Sequence, residues 1–383
     1  MSVNADLQQQ EELVHPFQIA IADSVLEDLS VRLTGTRWAV TDDADSWSDG
    51  VSLAHLEDLV GFWQRDYDWR EEETRLNAYP QFLTEIDGDD IHFVWLRAKN
   101  GASDLLPIVL SHGWPGSFSE FLEVGELLAT RGHDVVIPSL PGFGFPGPSK
   151  QRWDIVKTAT AWATLMKRLG YSRYVAHGCD IGALVSHVLG LIDAAHVAGI
   201  HVTSIVGGIP DVSGRRTDDL TTKTEIQMHR YITDLSAYAF LHTTRPLSIG
   251  HALADSPTGL LSWIAERFHD WTAASQTGVE TVDRTALITN TMIYWLNNTL
   301  GSSVTFYKSS HLFGGDYPAP PVSTTPAAVS VFAYDYLISD RQLAEQYNQI
   351  VQWTEHGEGG HFPALEVPHL LADDIANAAA KVY

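Results

Sequence analysis

The chain has a single cysteine, Cys179, so no internal disulfide can form and a cysteine-built zinc site is not expected. It is also poor in positive charge: 24 Lys and Arg stand against 48 Asp and Glu, a formal net charge of -24 over 383 residues. Such a surface repels phosphate backbones and anionic lipid, which sets nucleic acid and membrane surfaces aside as partners and otherwise speaks for solubility. No apolar run approaches the ~20 residues of a spanning helix. Met1 to Glu12 is polar and acidic, without the basic start and apolar stretch of a secretory signal, so the cytoplasm is the expected compartment. Internal repeats and low-complexity tracts are missing as well. What is present, at 44% hydrophobic and 19% charged, is an ordinary globular composition, in a chain long enough for a main domain with added segments. A homodimer is open to such a chain.

Helical spacing dominates the start: Leu26, Leu29 and Leu33, then Leu53, Leu56, Leu59 and Trp63, with an irregular Asp- and Ser-rich stretch from Trp38 to Gly50 between them. From Phe82 the period changes. Ile91–Leu96, Pro107–Leu110, Val135–Pro138, Tyr174–Ala176 and Val197–Val202 read as strands, with helices around Ile155–Leu169 and Ala183–Ile192. Strands alternating with helices predict a mostly parallel sheet, with ligands bound beyond the carboxyl ends of its strands. Past Pro210 the pattern breaks into a largely helical, aromatic-rich block from Arg215 to Asn298 that reads as a cap, before strand pattern returns at Ala328–Phe332 and Ile350–Trp353 and a last helix spans His369–Tyr383. The predicted units are 1–90, an N-terminal segment; 91–210 and 311–383, the two parts of an α/β core; and 211–310, the cap.

Chemistry concentrates at strand ends. Gly178-Cys179-Asp180-Ile181-Gly182 joins a buried strand to a helix, with small residues two positions either side of Asp180. That is the spacing of a nucleophile elbow, whose familiar centre is Ser. An Asp here could instead cap the helix. As a nucleophile it needs no activating base, being ionised near neutral pH; it would attack a saturated carbon and form an ester, whose hydrolysis does need one. Among 17 histidines, His361 is singled out by following the last strand behind Gly359-Gly360. Asp335, at the end of the preceding strand, is the acid that would orient it, with Asp340 as competitor. The order nucleophile, acid, histidine is that of α/β-hydrolases. In that fold the loop His112-Gly113-Trp114-Pro115-Gly116 and the residue after the nucleophile supply the oxyanion-hole amides, here those of Trp114 and Ile181.

With these residues in view, the chain resembles the microsomal-type epoxide hydrolases over nearly its whole length. The resemblance rests on Arg37-Trp38, Tyr67-Asp68-Trp69-Arg70, Leu76-Asn77, Pro80-Gln81-Phe82, His112-Gly113-Trp114-Pro115-Gly116-Ser117, Pro138 through Gly144 and Gly359-Gly360-His361-Phe362. It implies the α/β-hydrolase fold with a mostly parallel central sheet, an inserted helical cap and an N-terminal helical extension. It also implies two cap tyrosines that hydrogen-bond the epoxide oxygen. Tyr307, in Phe306-Tyr307-Lys308, is one; Tyr238 is the other, with Tyr231 and Tyr294 as substitutes. The family's Trp after the nucleophile is replaced by Ile181, which makes the pocket wall smaller and aliphatic, and Cys179 and His177 also depart from the usual residues. A soluble bacterial-type member, serving natural-product biosynthesis or detoxification, fits the missing anchor.

The implied reaction takes a small apolar or aromatic epoxide and water to a vicinal diol, through an ester on Asp180, and needs neither metal nor organic cofactor. Two other readings remain: a haloalkane dehalogenase-like hydrolase, against which Ile181 counts because those enzymes commonly grip halide with the Trp there, and a non-catalytic binding protein on the same fold. Trp263, Trp271 and Trp295 point to an apolar cap, though core packing accounts for most such side chains.

Overall fold

The computed structural model describes residues 13–99, 104–212, 216–312 and 320–383. Met1 to Glu12 and Arg215, read above, lie outside them. Nine strands form one sheet: β1 (Val14–Phe17), β2 (Gln81–Ile86), β3 (Asp89–Leu96), β4 (Ile108–Ser111), β5 (Val135–Pro138), β6 (Tyr174–Gly178), β7 (Val197–Val202), β8 (Ser323–Phe332) and β9 (Asn348–His356). Their order across the sheet is β1-β2-β3-β5-β4-β6-β7-β8-β9. From β5 to β9 every pairing is parallel, while β1, β2 and β3 run antiparallel at one side. Strands β4, β5, β6 and β7 are buried at every position, as β-branched runs covered on both faces should be.

The sequence pattern anticipates the parallel strands closely; it misses β1 and β2. The four residues of β1 carry Pro16 and lie at the sheet edge, where a missing N–H costs no ladder bond, so no alternation marks them. The β2–β3 hairpin turns at Asp87-Gly88, both with positive φ (52° and 82°), the conformation a type I′ turn requires and Gly tolerates best. The N-terminal segment is therefore helical only in part: its helices Asp23–Thr34, Leu53–Arg65 and Trp69–Asn77 are joined to the sheet by edge strands.

Cap helices run from Lys223 to Ser309. Several begin at side-chain caps, with Thr222 and Glu225 forming a reciprocal box and Ser256 and Asp283 accepting from first-turn amides; each cap is worth about 1 kcal/mol. The N-terminal segment also packs on the cap. Arg32 pairs with Asp255 at 2.9 Å, Trp47 stacks on His269 at 3.6 Å between centroids, and Tyr67 Oη lies 3.1 Å from Thr289 Oγ1. No helix among the described residues is long and apolar enough to cross a membrane.

Because β4 to β9 are parallel, the loops after β4, β5, β6, β8 and β9 all emerge at one edge of the sheet. The cap covers that edge, and the pocket lies between them.

Candidate active site

Asp180 sits between β6 and the apolar helix Ile181–Ile192, with φ 51° and ψ -125°, a left-handed backbone that a residue with a side chain adopts at a cost of about 1–3 kcal/mol. The flanking glycines make the turn possible. A Cβ on Gly178 would lie 2.0 Å from the carbonyl oxygen of Gly182, and one on Gly182 would lie 2.0 Å from that of Ser111. The Asp180 side chain does not cap its helix. Its Oδ1 instead accepts the Trp114 backbone N–H at 2.9 Å, and its Oδ2 faces His361 Nε2 at 3.6 Å and Tyr336 Oη at 3.4 Å.

Asp335 follows β8 and its Oδ1 lies 3.0 Å from His361 Nδ1, while also accepting the Leu337 N–H at 3.2 Å. Asp340, the competitor, accepts the Leu343 N–H at the start of the helix Arg341–Ala344. His361 is held further by its own N–H, which donates to the Trp271 carbonyl at 2.8 Å, and by the Trp271 ring at 4.9 Å. Burial alone would lower the imidazole, but the charges and hydrogen bonds of Asp335 and Asp180 outweigh it and raise His361 to about 10.

The loop after β4 is braced from behind. His112 Nε2 accepts the Leu140 N–H at 2.9 Å, so Nδ1 carries the proton and meets the Gly113 carbonyl at 3.0 Å. Tyr294 Oη donates to the Gly116 carbonyl at 2.7 Å and Asn290 Nδ2 to that of Pro115 at 2.6 Å. Glu120 lies beneath, buried beside Cys179, whose thiol donates to it at 3.5 Å; burial pushes the Glu120 carboxyl up to about 8.

A cavity of about 230 Å³ opens onto these groups. It is lined by Asp180, His361, Tyr238, Tyr307 and Tyr336, and by Ile181, Leu184, Ile205, Val206, Ile209, Leu312 and Leu337. Larger depressions lie elsewhere, such as one of about 530 Å³ around Glu72, Arg75 and Asn290, but they contain neither Asp180 nor His361. Tyr238 stacks on Trp114 at 5.3 Å between centroids, and Tyr307 stands edge-on to Trp114 at 6.0 Å. Tyr231 Oη pairs with Tyr238 Oη at 3.3 Å and is not among the lining residues, and Tyr294 is committed to Gly116. Burial raises all the phenols of this cluster, so each is protonated at neutral pH and available as a donor.

The chain is similar to known proteins over most of its length. Residues 14–121 match the family described as epoxide hydrolase N terminus, and residues 107–366 match the α/β-hydrolase fold family. A Stigmatella aurantiaca protein provisionally named an epoxide hydrolase is 39% identical over 94% of this chain and 84% of that protein. Juvenile hormone epoxide hydrolase 2 of Ctenocephalides felis is 32% identical over 96% and 86%. The chain belongs to the epoxide hydrolases. The solved Aspergillus niger epoxide hydrolase superposes with a TM-score of 0.83 at 30% identity, covering 96% of both chains. Epoxide hydrolysis is accordingly the activity of this enzyme, which sets aside the dehalogenase and non-catalytic readings.

Sequence reasoning missed Tyr336 and Glu120, and named Trp271 only as a cap aromatic. Tyr336 adjoins Asp335 in sequence, but nothing in composition or spacing separates it from the chain's other tyrosines. Trp271 meets His361 with its backbone carbonyl as well as its ring, and a carbonyl carries no residue signature.

Proposed function

We propose that the enzyme opens a small apolar epoxide by attack of Asp180 and releases a vicinal diol after hydrolysis of the resulting ester. The observation that carries this reading is the single cavity on which Asp180, His361, Tyr238 and Tyr307 converge. Apart from Tyr336 and Ser204 the rest of its lining is aliphatic or glycine, which suits an apolar substrate. We take the units 1–90, 91–210, 211–310 and 311–383 as the working division of the chain, the cap supplying the tyrosines and the core the other groups, and we place the enzyme in the cytoplasm.

Substrate enters with its oxygen toward Tyr238 and Tyr307, which donate hydrogen bonds to it. Asp180 Oδ2 faces the cavity groups and attacks a ring carbon; Oδ1 stays on the Trp114 amide and becomes the ester carbonyl oxygen. As the ester forms, Asp180 loses its charge. One of the two carboxylate charges that raise His361 is then gone, so the imidazolium becomes a stronger acid and releases its proton more readily. The proton it sheds equals the one the opened oxygen gains through the phenols, so charge balances. Neutral His361, oriented by Asp335, next takes a proton from water. Hydroxide adds to the ester carbonyl, the amides of Trp114 and Ile181 stabilise the oxyanion, and the acyl–oxygen bond breaks; the leaving oxygen takes the proton of the new Asp180 carboxyl, so the diol departs with Asp180 ionised and His361 protonated.

Replacing Tyr307 or Tyr238 by Phe tests the assignment of the donors. Each change should slow ester formation by roughly 10²-fold while leaving ester decay within about 2-fold, since only the first step develops charge on the epoxide oxygen. Rapid-quench kinetics with styrene oxide separates the two steps. Ester formation at the wild-type rate in the double Phe variant would overturn the role of both phenols.

A further inference from the structure

We propose that Arg267, outside the reacting groups, is a positioning residue that acts through Tyr238: its guanidinium holds a fixed positive charge over the phenol ring and stabilises the negative charge arriving there as the epoxide opens. This rests on the reading of Tyr238 as an oxygen donor.

Arg267 lies near the end of the helix Pro257–Asp270 and is 3% exposed. Burying a guanidinium is expensive. Glu266 and Asp270 (3.3 Å) partner its Nη2, but its Nε–H is buried without a hydrogen-bond partner among the described residues. A cation placed only to satisfy two carboxylates at 23% and 16% side-chain exposure would gain more from water than this one does. What burial achieves is an approach to rings: the guanidinium carbon is 5.0 Å from the Tyr238 centroid and 5.7 Å from that of Trp271.

Catalysis moves charge in that direction. Before attack, the negative charge sits on Asp180; as the ring opens, and before the opened oxygen gains its proton, that charge passes to the oxygen and the phenols that hold it. Facing Tyr238 are Tyr231, Tyr307 and Tyr336, the neutral imidazole of His242, and Asp180 across the cavity. Burial and the Asp180 charge raise the Tyr238 phenol, and Arg267 works against both. A guanidinium already in place and shielded from water meets the displaced charge without reorganisation. Ester hydrolysis develops its charge on the oxygen held by the Trp114 and Ile181 amides rather than on Tyr238, so that step should lie outside this effect.

Arg267→Met, Arg267→Lys, Tyr238→Phe and the Arg267→Met/Tyr238→Phe double variant, each in the full chain, test this by rapid-quench kinetics with styrene oxide. Arg267→Met should slow ester formation roughly 10- to 100-fold with ester decay within about 2-fold of wild type. Arg267→Lys should restore most of the loss. In the Tyr238→Phe background, Arg267→Met should add little. Equal impairment by Met and Lys, or equal slowing of both steps, would overturn the proposal in favour of a packing role. Additive losses in the double variant would show that Arg267 does not act through Tyr238. The underlying reading fails separately, if Tyr238→Phe alone leaves ester formation unchanged.

Discussion

Replacing His361 by Gln should yield an enzyme that forms its covalent ester once and stalls. Attack by Asp180 requires an ionised carboxylate and hydrogen bonds to the epoxide oxygen; it requires no base. Hydrolysis requires one, and among the described residues His361 is the imidazole in contact with both Asp180 and Asp335, at 3.6 and 3.0 Å. Gln preserves volume and can still meet Asp335, so the pocket should survive. Steady-state turnover should fall by roughly 10⁴-fold or more, as loss of a triad base does elsewhere. Intact mass spectrometry after incubation with styrene oxide should show one added substrate per chain, and peptide mapping should place it on Asp180. The loss of the imidazolium proton should slow attack somewhat, since protons then come from solvent. Turnover persisting near the wild-type rate would remove His361 from the mechanism.

Acid should unfold the protein well above the pH at which its surface carboxylates titrate. Six histidines are buried and held neutral by their surroundings. Burial lowers His92, His177 and His242 to about 3 and His112 and His187 to about 4; it also lowers His201 well below the ordinary imidazole range, since a charge there would face His177 and His356. Their bonds fit the neutral form: His92 spans Ser139 and Gln81, and His201 joins His177 to Ser330, which bonds in turn to Asp374. The unfolded chain binds protons at these sites below about pH 6.5 while the folded chain does not. Their contribution is therefore fully present above pH 6.5 and is lost as pH falls toward 3–4. Each site costs about 1.4 kcal/mol per pH unit within that window, so together they should consume several kcal/mol between pH 6 and 5, a large share of an ordinary domain's stability. Glu120, raised to about 8, has the opposite sign: its contribution is complete below about 4.5 and is lost as pH rises through 8. One such group offsets only part of the loss. Urea unfolding at pH 7, 6 and 5 should show midpoints dropping steeply, with proton uptake on unfolding. Equal midpoints at pH 7 and 5 would mean that these imidazoles are already charged in the folded state.

Much of this was legible in the sequence because it is local. Gly178 through Gly182 announces its turn by spacing, and the 2.0 Å at which an added Cβ would meet a carbonyl oxygen explains why nothing larger than Gly serves at either flank. The parallel strands are short β-branched runs buried on both faces, a pattern that needs no tertiary context. What stayed hidden depends on contacts between distant segments. The edge strand Val14–Phe17 is defined by its partner Gln81–Ile86 rather than by its own four residues. Cap packing, which sets Tyr238 on the cavity wall and ties Tyr294 to Gly116, is likewise invisible in the sequence around each tyrosine. Tyr336 and Arg267 carry no motif at all; only the fold shows one beside Asp180 and the other beneath Tyr238.

The covalent ester on Asp180 is tested most directly by one turnover of styrene oxide with excess enzyme in ¹⁸O-labelled water, with Asp180→Ala alongside. Acyl–oxygen cleavage sends Asp180 Oδ2 out with the product, so the diol of the first turnover should be unlabelled, the label should appear in the peptide containing Asp180, and the variant should be inactive. Label entering the diol directly in that first turnover would contradict the mechanism, because water itself would then have opened the ring.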